Sequence, residues 1–206
     1  MENNFVIVIS GAAGSGKGTI VKRLTENNKN FEASISYTTR SPRGDDIPDV
    51  TYHFISRDKF KEMIDNDEFA EHAEYGGNFY GTPKANLDVP LSEGKNVILE
   101  IDTHGALQIK KMYPDALLIW ITPPDYETLE RRLRSRATNT EEDILRRLTT
   151  SKNELHLLDY YDYIVINYDG EADKAAAQIR QIIDTNKWAV SSNKDFRKKF
   201  YEPSNN

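Results

Sequence analysis

The sequence predicts an α/β fold: a P-loop three-layer core with a parallel sheet flanked by helices, an inserted β-rich lobe and a short helical lid. Three observations predict it. The apolar run Phe5-Val-Ile-Val-Ile9 is followed by the glycine-rich Gly11-Ala-Ala-Gly-Ser-Gly-Lys-Gly-Thr19, and then by Ile20-Val-Lys-Arg-Leu24 with apolar residues at helical spacing. That order is strand, turn, helix, the context that separates a phosphate-binding loop from a chance cluster of glycines. From residue 96 onward, strand patterns alternate with long helical ones, the rhythm of a parallel sheet covered on both faces. Between the two, residues 35–82 break the rhythm with short alternating runs and turn residues.

Each element has its own signal. The helix after the loop is expected to reach about residue 28, where the polar Asn27-Asn-Lys-Asn30 ends it. Residues 31–37 alternate as a strand and lead into Thr38-Thr-Arg-Ser-Pro-Arg43 and the turn-rich Gly44-Asp-Asp-Ile-Pro-Asp49. Tyr52-His-Phe-Ile55 reads as a strand, Ser56 as the N-cap of a helix through Lys59-Phe-Lys-Glu-Met-Ile64, and residues 69–80 as a hairpin containing Gly76-Gly77. The lobe is thus expected to be antiparallel in character. A strand at 96–101, a helix at 105–112 and a buried strand at 116–121 resume the core. Pro123-Pro124 and Asp125 open a helix to about residue 136, and the break Ala137-Thr-Asn-Thr140 precedes another at 141–158. Residues 163–167 form the last strand and 171–187 the last strong helix. The expected layout is one domain: core at about 1–34, 83–134 and 143–190, lobe at about 35–82, lid at about 135–142, and a polar tail at 191–206.

A chain of 206 residues can bury one substantial core with an inserted lobe. Its net charge of −6 argues against general nucleic-acid binding, so an anion-handling site must concentrate its cations locally. The absence of cysteine excludes disulfides, thiolate metal sites and a thiol nucleophile, and fits the cytoplasm. Met1-Glu-Asn-Asn4 carries an acid where a signal peptide carries bases, and the run Ala116-Leu-Leu-Ile-Trp-Ile121 is too short to cross a bilayer. The expectation is a soluble cytoplasmic protein without membrane or nucleic-acid partners, its oligomeric state open. His53, His72, His104 and His156 are scattered without metal-ligand spacing.

Gly11, Ala12, Ala13, Gly14, Ser15, Gly16, Lys17, Gly18 and Thr19 are the expected cradle for a nucleotide polyphosphate. Glycines let the backbone curl so that N–H groups converge, and the helix start adds its positive dipole end. Lys17 supplies a mobile point charge. Gly18 stands where Ser or Thr usually ligates Mg²⁺, so the metal is expected to be held mainly by phosphates and water, with no protein ligand assigned. Six arginines, Arg131, Arg132, Arg134, Arg136, Arg146 and Arg147, straddle the Thr/Asn-rich break, as in a lid that closes over phosphates. The alternative for each is a solvated helical face paired with Glu130, Glu141, Glu142 or Asp143. Arg40 and Arg43, held by Ser41-Pro42 with Tyr52 and Tyr80 in the same lobe, form a second clamp that suits an acceptor phosphate.

Taken together, Ser36-Tyr-Thr-Thr-Arg-Ser-Pro-Arg43, Tyr52, Glu71, Gly77-Asn-Phe-Tyr-Gly-Thr82, Leu99-Glu-Ile-Asp102, Arg132-Leu-Arg-Ser-Arg136, Thr140-Glu-Glu142 and Val165-Ile-Asn167 resemble the guanylate kinase family, in order, from about residue 5 to 185. The resemblance implies ATP-dependent phosphorylation of GMP with Mg²⁺. It implies that Arg40, Arg43, Tyr52 and Tyr80 bind the GMP phosphate and that Ser36, Glu71, Thr82 and Asp102 read the guanine. It further implies that Lys17, Arg132, Arg136 and Arg147, with Arg43, stabilise the transferring phosphoryl group, and that the loop and Asn167 bind ATP, Asn167 near the adenine. The chemistry of the base agrees: guanine offers donors at N1 and N2 to carboxylates and an acceptor at O6 to hydroxyls, whereas adenine sets a lone pair against a carboxylate. Three positions depart from the family pattern: Ala12-Ala13 in the loop, Gly44-Asp-Asp46 where Pro-Gly-Glu is usual, and His104 where Gln is usual. Two other readings remain at this point. One is a non-catalytic guanylate-kinase-like module that binds proteins; the other is a nucleoside monophosphate kinase of different base specificity. A P-loop hydrolase or switch lacks a D-x-x-G-type segment.

Overall fold

The structure, a computed structural model, describes residues 4–44, 46–135 and 140–201. Apolar stretches of branched residues form a five-stranded parallel sheet: β1 (Val6–Ser10), β2 (Phe31–Ala33), β7 (Asn96–Glu100), β8 (Leu117–Thr122) and β9 (Tyr163–Ile166), in spatial order β2-β7-β1-β8-β9. Its central strand β1 is buried throughout, which is why its sequence is a continuous apolar run and not an alternation. One face packs on α1 (Lys17–Thr25) and α7 (Ala172–Asn186) through Ile7, Ile9, Ile20, Leu24, Ile119, Ile179 and Ile183. The opposite face packs on α3 (Ala85–Ser92) and α4 (Thr103–Met112) through Val6, Val8, Leu87, Leu99, Ile109 and Leu118. The three-layer α/β core is therefore as expected.

The lobe is a four-stranded sheet, order β4-β3-β6-β5, made of β3 (Tyr37–Thr38), β4 (His53–Phe54), β5 (Phe69–Tyr75) and β6 (Asn78–Pro83). Its own small core stacks Phe60 on Phe69 at 4.4 Å and on Phe79 at 5.4 Å, with Met63 beside them. Phe60 and Met63 come from α2 (Arg57–Asp65), whose N-cap Ser56 accepts from the Lys59 N–H as the sequence indicates. Gly76 and Gly77 turn the β5–β6 hairpin with both φ angles positive. The lobe joins the core tightly. The Gln108 amide on α4 both accepts from and donates to the backbone of His72 on β5, and Asn86 on α3 donates to the Ile35 carbonyl.

Four elements differ from expectation. The strand expected at 31–37 is two strands, because 31–33 pair with β7 in the core whereas 37–38 pair with β6 in the lobe. The lobe is not wholly antiparallel, since β3 and β4 pair in parallel. α3 was not foreseen; Pro90 lies inside it, and proline ordinarily argues against a helix interior. The long helix after residue 141 is α6 (Glu141–Glu154) followed by a 3₁₀ turn over Leu155–Tyr160. It packs with α5 (Tyr126–Arg134), capped by Asp125, in a satellite cluster of Leu129, Leu133, Ile144 and Leu148 against Ala12 and Ala13 of the glycine-rich loop. The tail carries a short helix, α8 (Phe196–Tyr201), with Phe196, Phe200 and Tyr201 exposed.

Candidate active site

The site begins where β1 ends. Gly11 leaves the strand at φ 138°, and a Cβ there would lie 2.0 Å from the Ile121 carbonyl oxygen. Gly16 has φ 92°, and a Cβ there would lie 2.3 Å from Asn167 Nδ2. Both positions therefore demand glycine twice over, by backbone angle and by space. α1 starts from Gly16 with no side-chain cap, so its N-terminal dipole faces the hollow of the loop. Lys17 Nζ lies back across that hollow, donating to the carbonyls of Gly11 (2.8 Å) and Ala12 (3.2 Å). Asn167 Nδ2 donates to the Ser15 carbonyl at 2.8 Å, so this expected adenine neighbour braces the loop itself, while its Oδ1 is buried without a partner.

Glu100, at the C-terminal end of β7, is the site residue that the sequence reading passed over. A Cβ on Gly18 would meet its Oε2 at 3.3 Å, and its charge is felt by Lys17 and Tyr52 alike. Crowding by the cleft walls raises its pKa and Lys17 lowers it. The signal was present: an acid at the carboxyl end of a parallel strand adjoining the loop strand is where a metal-bound water is held in P-loop proteins. The missing hydroxyl at Gly18 and the carboxylate beside it belong to one arrangement. A carboxylate in this place suits a Mg²⁺ held through water.

On the lobe side, Glu71 is only 5% exposed, and its Oε1 accepts from the Thr82 hydroxyl at 2.6 Å; Thr82 in turn lies 3.2 Å from Ser36 Oγ. Burial pushes the Glu71 carboxyl up to about 7, the Thr82 hydroxyl pulling it down and the nearby Asp102 charge adding to the rise. Asp102 caps α4, its Oδ1 accepting the Gly105 N–H at 2.8 Å. A Cβ on Gly105 would touch Glu71 Oε2 at 2.8 Å, so Glu71 and the start of α4 are pressed together. The four expected guanine readers thus converge. Nearby, Arg40 makes a two-pronged pair with Asp46 at 2.9 and 3.2 Å, and Asp46 also accepts the Arg43 N–H at 2.6 Å. The shorter acid therefore suffices to shape this clamp, with Tyr52 beneath the Arg40 guanidinium at 5.5 Å and Tyr80 5.9 Å from Tyr52. The Arg43 side chain is exposed, and His104 is exposed on α4.

The arginine cluster divides. Arg132 is held by Asp169 (2.7 and 2.9 Å) and by the Asn167 carbonyl (2.8 Å), leaving Nη1 buried without a partner. Arg131 shares Asp169. Arg134 pairs with Glu130 and Glu141 across the base of the lid, the solvated-face pairing that the sequence also allowed. Arg147, on α6, buries its Nε without a partner. A buried guanidinium nitrogen without a partner is unusual and calls for an explanation, which the proposed function below supplies. Arg136 and the rest of lid positions 136–139 lie outside the described residues.

Comparison with known proteins then decides among the kinases that such a cleft allows. The chain matches the sequence model of the guanylate kinase family over residues 3–186. This chain belongs to the guanylate kinase family. It is 43% identical over 203 residues to a guanylate kinase of Caldanaerobacter subterraneus subsp. tengcongensis, covering 98% of both chains. It is also 43% identical to one of Lactococcus lactis, over 92% of this chain and 91% of the relative. A solved guanylate kinase from Anaplasma phagocytophilum superposes with a TM-score of 0.73 at 30% identity, covering 91% of this chain and 88% of that one. Family membership and the convergence of Ser36, Glu71, Thr82 and Asp102 point to the same substrate side.

Proposed function

We propose that this protein transfers the γ-phosphoryl group of ATP to GMP, giving ADP and GDP. The observation that carries the reading is a pair of candidate phosphate clamps linked through Glu100. Glu100 is near enough to feel both Lys17 of the loop and Tyr52 of the lobe, where Arg40 pairs with Asp46, and the same lobe joins Glu71 to Thr82. An oxygen of the GMP phosphate attacks the γ-phosphorus of ATP in line, and the bond to the β–γ bridging oxygen breaks, its electron pair leaving with ADP. That attacking oxygen is already ionised, so no general base is required. Orientation and charge neutralisation carry the rate.

In this reading Lys17, freed from the Gly11 and Ala12 carbonyls, follows the transferring group, and Arg132, Arg136, Arg147 and Arg43 neutralise its three oxygens. Mg²⁺, when bound, would screen the triphosphate charge, and Glu100 would help to hold it through water. Asn167 supports ATP by holding Ser15 in place. Ionised Glu71 and Asp102 receive the N1 and N2 donors of guanine, and the Ser36 and Thr82 hydroxyls serve O6. In this reading the assigned groups recognise the base and the phosphate, and dGMP is expected as a second substrate. The activity serves guanine nucleotide supply in the cytoplasm, which the lack of cysteine supports; no described helix is long and apolar enough to cross a membrane.

A coupled assay with GMP, dGMP, AMP and CMP tests this directly. GMP and dGMP should turn over and AMP should lag by roughly 10⁴-fold, as for a site whose buried polar groups go unpaired with the wrong base. Comparable turnover of AMP would overturn the guanine assignment. Lys17→Met should abolish most turnover while GMP still binds, measured by calorimetry. Loss of GMP binding in that variant would contradict separate donor and acceptor sites.

A further inference from the structure

Arg146 belongs to the arginine cluster, yet its geometry sets it apart from the phosphate site. Its Nη2 is fixed by Asp143, one turn earlier on α6, at 2.6 Å, and its Nη1 donates to the hydroxyl of Tyr75 at 3.2 Å. Tyr75 is the last residue of β5, at the tip of the hairpin in the other wall of the cleft. That tip is braced to its own lobe. Arg57 donates to the Gly77 carbonyl, lies 3.7 Å from Glu74, and sits 4.6 Å from the centre of the Phe79 ring. Tyr75 consequently moves with the lobe as a body, and Arg146 moves with α6. The next side chain along α6 is Arg147, whose buried Nε has no hydrogen-bond partner.

We propose that Arg146 and Tyr75 form a latch between the GMP-binding lobe and the lid helix, so that Arg147 is set in the cleft in step with occupancy of the lobe. The inference rests on the phosphoryl-transfer reading above. Arg146 is then a positioning residue and not a phosphate ligand, and Tyr75, which no guanine or phosphate contact requires, acquires a role. A contact that bridges the two walls of the cleft couples their binding sites wherever its strength changes with occupancy, and the coupling is reciprocal: GMP must strengthen binding of the ATP side by the factor by which the ATP side strengthens GMP. Both partners are more than half exposed, so a single hydrogen bond here carries a modest coupling, about 3- to 10-fold.

The test is calorimetric titration of the full chain with GMP and with a non-hydrolysable ATP analogue, each alone and in the presence of the other at saturation. The wild type should show mutual enhancement of about 3- to 10-fold. Tyr75→Phe and Arg146→Gln should bind each nucleotide alone within about 2-fold of wild type but lose the enhancement, and the double variant should lose no more than either single one. With ATP saturating, their KM for GMP should rise by a similar factor and kcat should fall as Arg147 is less well set, and Arg146→Lys should recover part of both. Full enhancement in both single variants overturns the latch. Weaker binding of the ATP analogue alone in Arg146→Gln, with Tyr75→Phe unaffected, makes Arg146 a phosphate ligand and also overturns it. Wild-type binding of both nucleotides without enhancement removes the latch and leaves the transferase reading standing, whereas failure to bind GMP removes both.

Discussion

Glu71 shows what burial does to one residue. Its carboxyl rises from 4.5 to about 7, because the charged form has lost water and gained only the hydroxyl and backbone N–H of Thr82, with the Asp102 charge nearby. The folded state therefore binds more protons than the unfolded chain between pH 4.5 and about 7, and stability falls as pH rises through that window, by at most ~3 kcal/mol. Glu71→Gln should remove this slope, so its melting temperature should gain on wild type from pH 5 to 7 and hold the gain above; parallel curves would refute the account. Guanine binding has the opposite sign, since it needs the ionised carboxylate. Affinity for GMP relative to Glu71→Gln should drop about tenfold per unit as pH falls below 7, and the ratio cancels the titration of GMP itself. The acid was legible in the sequence as a donor-reading residue, but its protonation was not, because that depends on contacts from β6 and α4.

At the level of elements, the lid helix α6 is tied to the phosphate loop by packing more than by charge. Leu148, 3% exposed, joins Ile144, Leu129, Leu133 and Ala12 in one cluster, and Arg147 precedes it in the chain. Leu148→Ala should cost about 2–4 kcal/mol in that cluster. The loss should appear as faster amide exchange in α5 and α6, with the central sheet unchanged, and as a lower kcat because Arg147 is no longer held. Uniform loss of protection across the sheet would show that the cluster is not a separable unit. α2 was readable from its cap Ser56 and α5 from Pro123-Pro124 and Asp125 because helix starts are local signals, whereas Thr140, read only as part of a break, also proves to be the cap of α6. α3 was not, because the neighbouring sheet and lobe overrule Pro90. The split between β2 and β3 was hidden for a related reason: an alternating run does not reveal that its two halves pair with different sheets.

For the molecule as a whole, the arrangement predicts motion of small bodies around a rigid one. The five-stranded sheet and its two apolar layers are continuous. The lobe has its own aromatic core and meets the rest along β5, through Ala70 in the core layer and the polar contacts of Gln108 and Asn86. The lid has its own cluster as well. GMP together with a non-hydrolysable ATP analogue should lower the radius of gyration measured by small-angle scattering by more than either nucleotide alone, as closure excludes water from the phosphates. An unchanged radius would mean that the cleft is already assembled without ligand.

The sequence by itself determined the class of fold, the phosphate loop and the family. Each of these is written in contiguous residues or in periodic ones: glycines where the loop meets Ile121 and Asn167, apolar runs for buried strands, and short motifs at characteristic spacing. Tertiary structure decided the pairings. Asn167 reaches the loop across 152 residues and Arg132 reaches Asp169 across 37. Glu100 lies against Gly18, Asp46 replaces a longer acid, and Arg146 faces the lobe instead of the phosphates. A charged side chain has several partners within reach, and sequence spacing does not rank them. Only the packed backbone brings one of them to hydrogen-bond distance and leaves the others in water.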